Sequence, residues 1–252
     1  MPQDDMPLDH VRALVLPDAP PSYESSLGTA DMVPGSGARA LALGSQLAEF
    51  TEHVAPDVRA AVSESLLLAQ LAANKAAGEA DVFRWYDVYV SVLQHIGWQT
   101  QSMSFETQSL SDRDADMHQA ILPVVTAMFG PVAAAGSLVL SVLHGLREMD
   151  RDRPWIMLFD RASQHASGAK FQVSRVDSDV AGDPGIELMC FGIEAKRAVT
   201  QVLFFRFADT GAQLKKGQGS LSMAKGLLME TNELVTHRVR PFVAEYVNNI
   251  EI

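Results

Sequence analysis

The sequence predicts an α+β fold, in which a helical N-terminal half packs on a largely antiparallel sheet of about four to five strands and a C-terminal helix closes the chain. Three observations predict it. Apolar residues recur at helical spacing from Leu43 to the region of Glu148. After Pro154 the period shortens to alternation. The strand-like runs are grouped, where strict strand–helix alternation would argue for a parallel sheet. At 252 residues the chain can hold one large domain.

Residues 1–36 read as a disordered, acidic, proline-rich tail, and residues 37–252 as a single α/β domain. The tail carries Pro2, Pro7, Pro17, Pro20, Pro21 and Pro34 and few large apolar residues. Such a segment buries too little surface to offset its ordering entropy. Its "PPSY", 20–23, matches the short proline motif that WW domains bind, although four residues recur by chance.

Leu43, Leu47, Phe50 and Val54 form one helical stripe. Pro56 can open a second helix, where its missing N–H needs no partner. That helix carries Val58, Val62, Leu66, Leu67 and Leu71 and ends near Gly78. In a third, Val82, Trp85, Tyr89, Val92 and Ile96 share a face and Gly97 is the terminator. "WQTQSMSF", 98–105, has strand-like composition. Residues 114–149 are helical again, with no Lys, Arg, Asp or Glu from Ala120 to Leu146. That length matches a bilayer span. Gly130-Pro131 favours instead two buried helices joined by a tight turn.

"WIMLFD", 155–160, suits a strand covered on both faces. "SQHASGA" reads as a loop, "KFQVSRV" as an alternating strand and "DSDVAGDPG" as a turn. Two strands, 186–194 and 199–207, are expected as a hairpin across "EAKRA". "GQGS" reads as a loop, with Ser220 capping a long helix through about Arg240 and Pro241 bending its end.

The net charge of −11 argues against general nucleic-acid binding. It is uneven: residues 1–150 hold 7 Lys/Arg against 19 Asp/Glu, and residues 151–252 hold 13 against 12. The strand-rich half is therefore the better face toward an anionic surface, although a simply solvated acidic helical half is the weightier reading of the same asymmetry. The acidic N-terminus lacks the basic start and apolar core of a secretory signal. Synthesis in the cytoplasm is expected, with export by a non-Sec route or membrane association left open. No Walker loop, G-x-G-x-x-G, H-E-x-x-H or G-x-S-x-G occurs. The seven histidines show no metal-ligand spacing, and His144, in apolar surroundings, is expected inside. No catalytic residue and no metal ligand is assigned.

Cys190 is the only cysteine, so no internal disulfide forms. Core residue, nucleophile and attachment point are the alternatives. Along its strand Ile186, Leu188, Cys190 and Gly192 point one way, and Glu187, Met189, Phe191 and Ile193 the other. An apolar face of this kind raises a thiol pKa, which argues against a reactive thiolate. Glycine inside a strand marks a bulge or a close approach. Beside Cys190 it leaves a groove that either a helix or an acyl chain can fill.

"WYDVYVSVLQHIGW" at 85–98, the uncharged helical pair 115–148, "WIMLFD", "FQV" at 171–173, the hairpin 186–207 with "LFFRF", and the closing helix together resemble one family. The set looks like the Erwinia virulence factor and its relatives, themselves thought to be distantly similar to the insecticidal cytolytic delta-endotoxins. The resemblance covers roughly residues 80–240 and lies in order and local wording. It implies an α/β fold with helices around a sheet. It also implies a palmitate held as a thioester on a cysteine of the C-terminal half. Cys190 is the one residue that can match, with Ile186, Leu188 and Gly192 as the lipid pocket. The implied function is a non-enzymatic virulence or toxin-like protein that binds lipid or a membrane surface, with no cofactor besides a fatty acid. A soluble, homo-oligomeric protein-interaction module without lipid is the alternative, and a thiol enzyme using Cys190 a third reading.

Overall fold

The structure, a computed structural model, describes residues 6–20, 37–78, 82–100, 103, 105–108, 116–165, 168–195, 199–206 and 212–250. Its spine is a pair of long antiparallel strands, β6 (Gly168–Ser178) and β7 (Pro184–Glu194). Asp179 turns the chain between them, its carboxylate accepting from Ala181 N and Asp183 N. The sheet order is β3-β8-β7-β6-β2-β1-β9, with β4 also on β8 and β5 also on β6. The further strands are β1 (Arg39–Leu43), β2 (Gln46–Phe50), β3 (Gln99–Thr100), β4 (Phe105–Gln108), β5 (Gln164–His165), β8 (Gln213–Ser222) and β9 (Val247–Asn249). All described pairings are antiparallel except β2 on β6. The sheet thus has nine strands where four to five are expected.

Helix α2 (Pro56–Ala77) starts at Pro56 and ends at Gly78, whose φ of 60° suits glycine. Helix α3 (Val82–His95) buries Val82, Trp85, Tyr89 and Val92 on one face, and Gly97 (φ 110°) follows it. These two follow the predicted ends. With α7 (Lys225–Val239) and α1 (Met6–Ala13) they cover one face of the sheet. The other face lies under α4 (Met117–Ala135), α5 (Leu138–Gly145) and α6 (Pro154–Ser163). The chain closes through a 3-10 turn containing Pro241 and the short helix α8 (Val243–Tyr246).

Several expectations are corrected. The Leu43–Val54 stripe is not helical. Leu43 pairs with Gln46 across Gly44-Ser45, a two-residue hairpin turn with Gly44 at φ 54°. Both hairpin strands are buried on both faces, so no alternation marks them in the sequence. "WIMLFD" is helical: Pro154 occupies the first turn, and Trp155, Ile156, Leu158 and Phe159 are buried. Leu203 and Phe204 lie in a 3-10 turn, and β7 pairs with β8 instead of a 199–207 strand. "GQGS" sits inside β8, where Gly217 lets Phe105 and Met103 approach; a Cβ there would lie 3.1 Å from the ring. Ser220 therefore caps nothing. The α7 start is held by Asp183 Oδ1, which accepts from Lys225 N at 2.8 Å.

Part of the expected tail is also folded. Val11 of α1 is fully buried, and the Arg238 guanidinium donates to the carbonyls of Val11, Arg12 and Leu14. Most of "PPSY" lies outside the described residues.

A buried carboxylate joins sheet to helix. Glu49 of β2 accepts from Ser137 Oγ at 2.5 Å and from Val139 N at 3.1 Å, at the start of α5. An anion at a helix N-terminus is favourable, and without it the amide is left unsatisfied. Glu49→Ala is expected to lower unfolding stability by about 2 kcal/mol, measured by urea titration, while Glu52→Ala, on an exposed turn, changes it by less than about 0.5 kcal/mol.

Candidate functional site

Cys190 lies mid-strand in β7, between Gln172 of β6 and Gly217 of β8. Ile186, Leu188 and Cys190 belong to the core under α2 and α3, while Met189, Phe191 and Ile193 belong to the core under α4–α6. The alternation is as the sequence predicts. The groove at Gly192 is also present, and α3 fills it. A Cβ on Gly192 would lie 3.2 Å from Val82 Cγ1 and 3.4 Å from the Phe83 ring. Cys190 is fully buried and lines none of the cavities of about 530, 600, 90 and 390 Å³ found elsewhere. Around the sulfur, Leu188 and Gly192 of the predicted lipid pocket are therefore core, because Gly192 admits Val82 and Phe83 of α3, while Ile186 borders the cavity of about 530 Å³ toward the other end of β7.

The chemistry around the thiol is neutral. Burial pushes the Cys190 thiol well above its ordinary value. The Tyr86 and Tyr89 phenols are likewise raised, chiefly by burial and further by the neighbouring thiol. Tyr86 Oη shares its proton between Phe171 O (2.9 Å) and Phe191 O (2.8 Å) and accepts from Gln172 Nε2 (3.1 Å). Tyr89 Oη donates to Gln46 Oε1, and Gln46 Nε2 to Ser174 Oγ. This network satisfies polar groups inside the core and offers the sulfur no base. A nucleophilic thiolate needs stabilisation that the site lacks. Among the described residues no three His, Cys, Asp or Glu side chains are placed to hold a metal ion.

The second predicted feature, the uncharged helical pair, behaves differently. Met117, Ile121, Val125 and Phe129 of α4 face the sheet at intervals of four. Asp116 caps the helix with Gln119 and pairs with Arg206 at 2.7 Å. His118 donates from Nδ1 to Leu203 O at 2.8 Å, and burial lowers its pKa. The helix breaks at Gly130 (φ 73°, ψ 165°), before Pro131, as the sequence predicts. The expected burial is incomplete. Only 28% of the apolar stretch in Met117–Ala135 is buried. Pro123, Thr126, Ala127, Pro131, Val132 and Ala135 face outward, and Val132 is 90% exposed. Among the described residues this is the one helix long and apolar enough to cross a membrane. His144, expected inside, is exposed on α5. The α5 core is made by Val139, Leu140, Val142 and Leu143, which leaves position 144 outward.

No family model and no curated protein matches the chain. Solved structures show a distant similarity. A delta-endotoxin is 14% identical over 72% of this chain and 83% of its own, with a TM-score of 0.42. The activated Cyt2Ba monomer from Bacillus thuringiensis subsp. israelensis is 13% identical over 70% and 96%, with a TM-score of 0.38. The Evf virulence factor is 12% identical over 92% and 89%, with a TM-score of 0.34.

The sealed thiol gives a direct expectation. Under native conditions Cys190 reacts with an aromatic disulfide reagent at least a hundredfold more slowly than free cysteine, and its reaction tracks the denaturant midpoint. Stoichiometric labelling within seconds in native buffer would contradict the burial described above.

Proposed function

We propose that this is a non-enzymatic, toxin-like protein that works at lipid surfaces and meets them with the outer face of α4. One observation carries the lipid part. A surface helix of a soluble protein places charged and polar residues outward. Between Ala120 and Ala135, α4 places none that is charged. Its inward face packs on the sheet, and among the described residues the outward apolar face has no partner. The break at Gly130 favours lying along an interface over a straight span. The toxin-like part follows from what the sequence resemblance implies.

An acyl chain belongs to the same reading at one position. Cys190 is the only thiol, and a thioester on it would form before α3 docks, by acyl transfer from an activated acyl thioester whose own thiol leaves with the Cys190 proton, because the folded chain closes over the sulfur. A second copy covering α4 is the competing use of the same face, and it places the function in an oligomer without lipid.

The test is flotation with phosphatidylcholine vesicles, with and without an anionic lipid, beside light scattering. The wild type is expected to float. Ala127→Glu with Val132→Glu should lower the bound fraction at least tenfold, since charge on an inserted face opposes partitioning. Both positions are exposed, so stability should stay within about 0.5 kcal/mol. A wild type that never floats, or a dimer that the double variant dissolves, overturns the lipid reading. Intact mass before and after hydroxylamine tests the thioester separately.

A further inference from the structure

A buried ammonium lies away from both features above. Lys170 of β6 is only 3% exposed. Its Nζ donates to Ala162 O at 3.1 Å and stands 4.7 Å from the Trp85 ring centroid. Among the described residues no ion pair reaches it. A buried charge ordinarily carries a counter-charge, because desolvation costs more than one hydrogen bond returns. Burial lowers this ammonium from 10.5 to about 8.

Lys170 lines a cavity of about 390 Å³, within the range of small-molecule sites. The walls come from the ends of α2 and α6 and from α8: Asn74, Arg161, Gln164, His165 and Tyr246 are among them. Among the described residues Glu245 is the only carboxylate residue in the wall, against Lys170 and Arg161. The described part of the wall is therefore cationic, in a chain of net charge −11. Helix C-termini would repel an anion, but two of the carbonyls beside the cavity are engaged. Ala162 O takes Lys170, and Gly78 O accepts from His165 Nε2 at 3.3 Å. The Glu245 carbonyl accepts from Arg161 Nη2 at 2.7 Å, which holds the guanidinium at the rim.

We propose that this cavity binds a small oxyanion, a carboxylate or phosphate, paired to the Lys170 ammonium with Arg161 as the second cation. The ligand supplies the counter-charge that the fold omits, and the Trp85 face fixes the ammonium from behind. None of the α4 residues lines the cavity, so the proposal stands apart from the lipid reading.

The test uses the full chain at pH 7.5 with inorganic phosphate and acetate as probes. Vesicles containing phosphatidate form a separate arm. The readouts are the rate of Lys170 acylation by an amine reagent, resolved by peptide mass, and the Lys170 Hε–Cε NMR signal. A free anion at millimolar concentration is expected to slow acylation at least fivefold and shift the signal saturably, while Lys225 is unaffected. Arg161→Gln should weaken the effect at least fivefold. Lys170→Met should abolish binding with a Tm at or above wild type, whereas a lysine kept for the fold would lower it. Protection by free anions marks a soluble ligand, and protection by phosphatidate vesicles alone marks a headgroup; both support the site. No protection in any arm overturns it, as does Arg161→Gln binding like wild type. Should Lys170→Met fail to fold, the wild-type and Arg161→Gln results decide the question.

Discussion

Burial of β6 and β7 on both faces governs the rest of the molecule. Every residue of a strand covered on both sides must match a helix above and a helix below. On one side Phe171 and Phe191 stack at 4.8 Å beneath the α4–α6 layer. On the other, Cys190, Gly192 and Gly217 leave room for the aromatic side of α3 and for Phe105. Large residues on one face are balanced by small ones on the other. Tyr86 then ties α3 to both strands through the carbonyls of Phe171 and Phe191. The same arrangement that admits the helix therefore closes the thiol away.

The two helical layers end differently at the solvent. The outer face of α7 carries Glu230, Glu233 and His237, an ordinary solvated exterior. The outer face of α4 carries Pro123, Ala127, Pro131 and Val132. Packing against the sheet does not explain this contrast, since the inward positions of α4 already satisfy the core. A stability argument alone would place charges outward at no cost. The uncharged exterior is therefore not set by the core beneath it.

The sequence makes legible those elements whose signals are local. Pro56, Gly78 and Gly97 mark the ends of α2 and α3, and Gly130-Pro131 marks the break in α4. Alternation along 186–193 assigns the faces of β7 correctly. The failures share one cause. Leu41 to Phe50 is buried on both faces, so its apolar spacing fits a helix as well as a hairpin, and only Gly44 distinguishes them. "WIMLFD" is a short apolar run that period alone cannot assign, although Pro154 before it is a helix signal. Gly217 and Gly219 read as loop because the partner packed against Gly217 is distant in sequence. Lys170 carries no local signal at all: its burial depends on α2, α6 and α8 meeting there.

Energy scales bear on how a lipid could approach. The fourteen methylenes of a palmitoyl chain are worth roughly 11 kcal/mol when buried. The groove at Gly192 is already occupied by Val82 and Phe83 of α3, a helix that buries Val82, Trp85, Tyr86, Tyr89, Val92 and Leu93. At roughly 1.5–3 kcal/mol each, those side chains represent a comparable sum. Lifting α3 would also strip Tyr86 from two strand carbonyls, each a buried acceptor. Exchange of helix for acyl chain in the folded state is thus near even in apolar terms and unfavourable once the polar terms are added. The α4 exterior faces no such exchange, because its apolar side chains are already outside the core. On the lipid reading proposed above, a bilayer would therefore meet α4 first, and a chain on Cys190 would belong to an earlier step, before the helix closes.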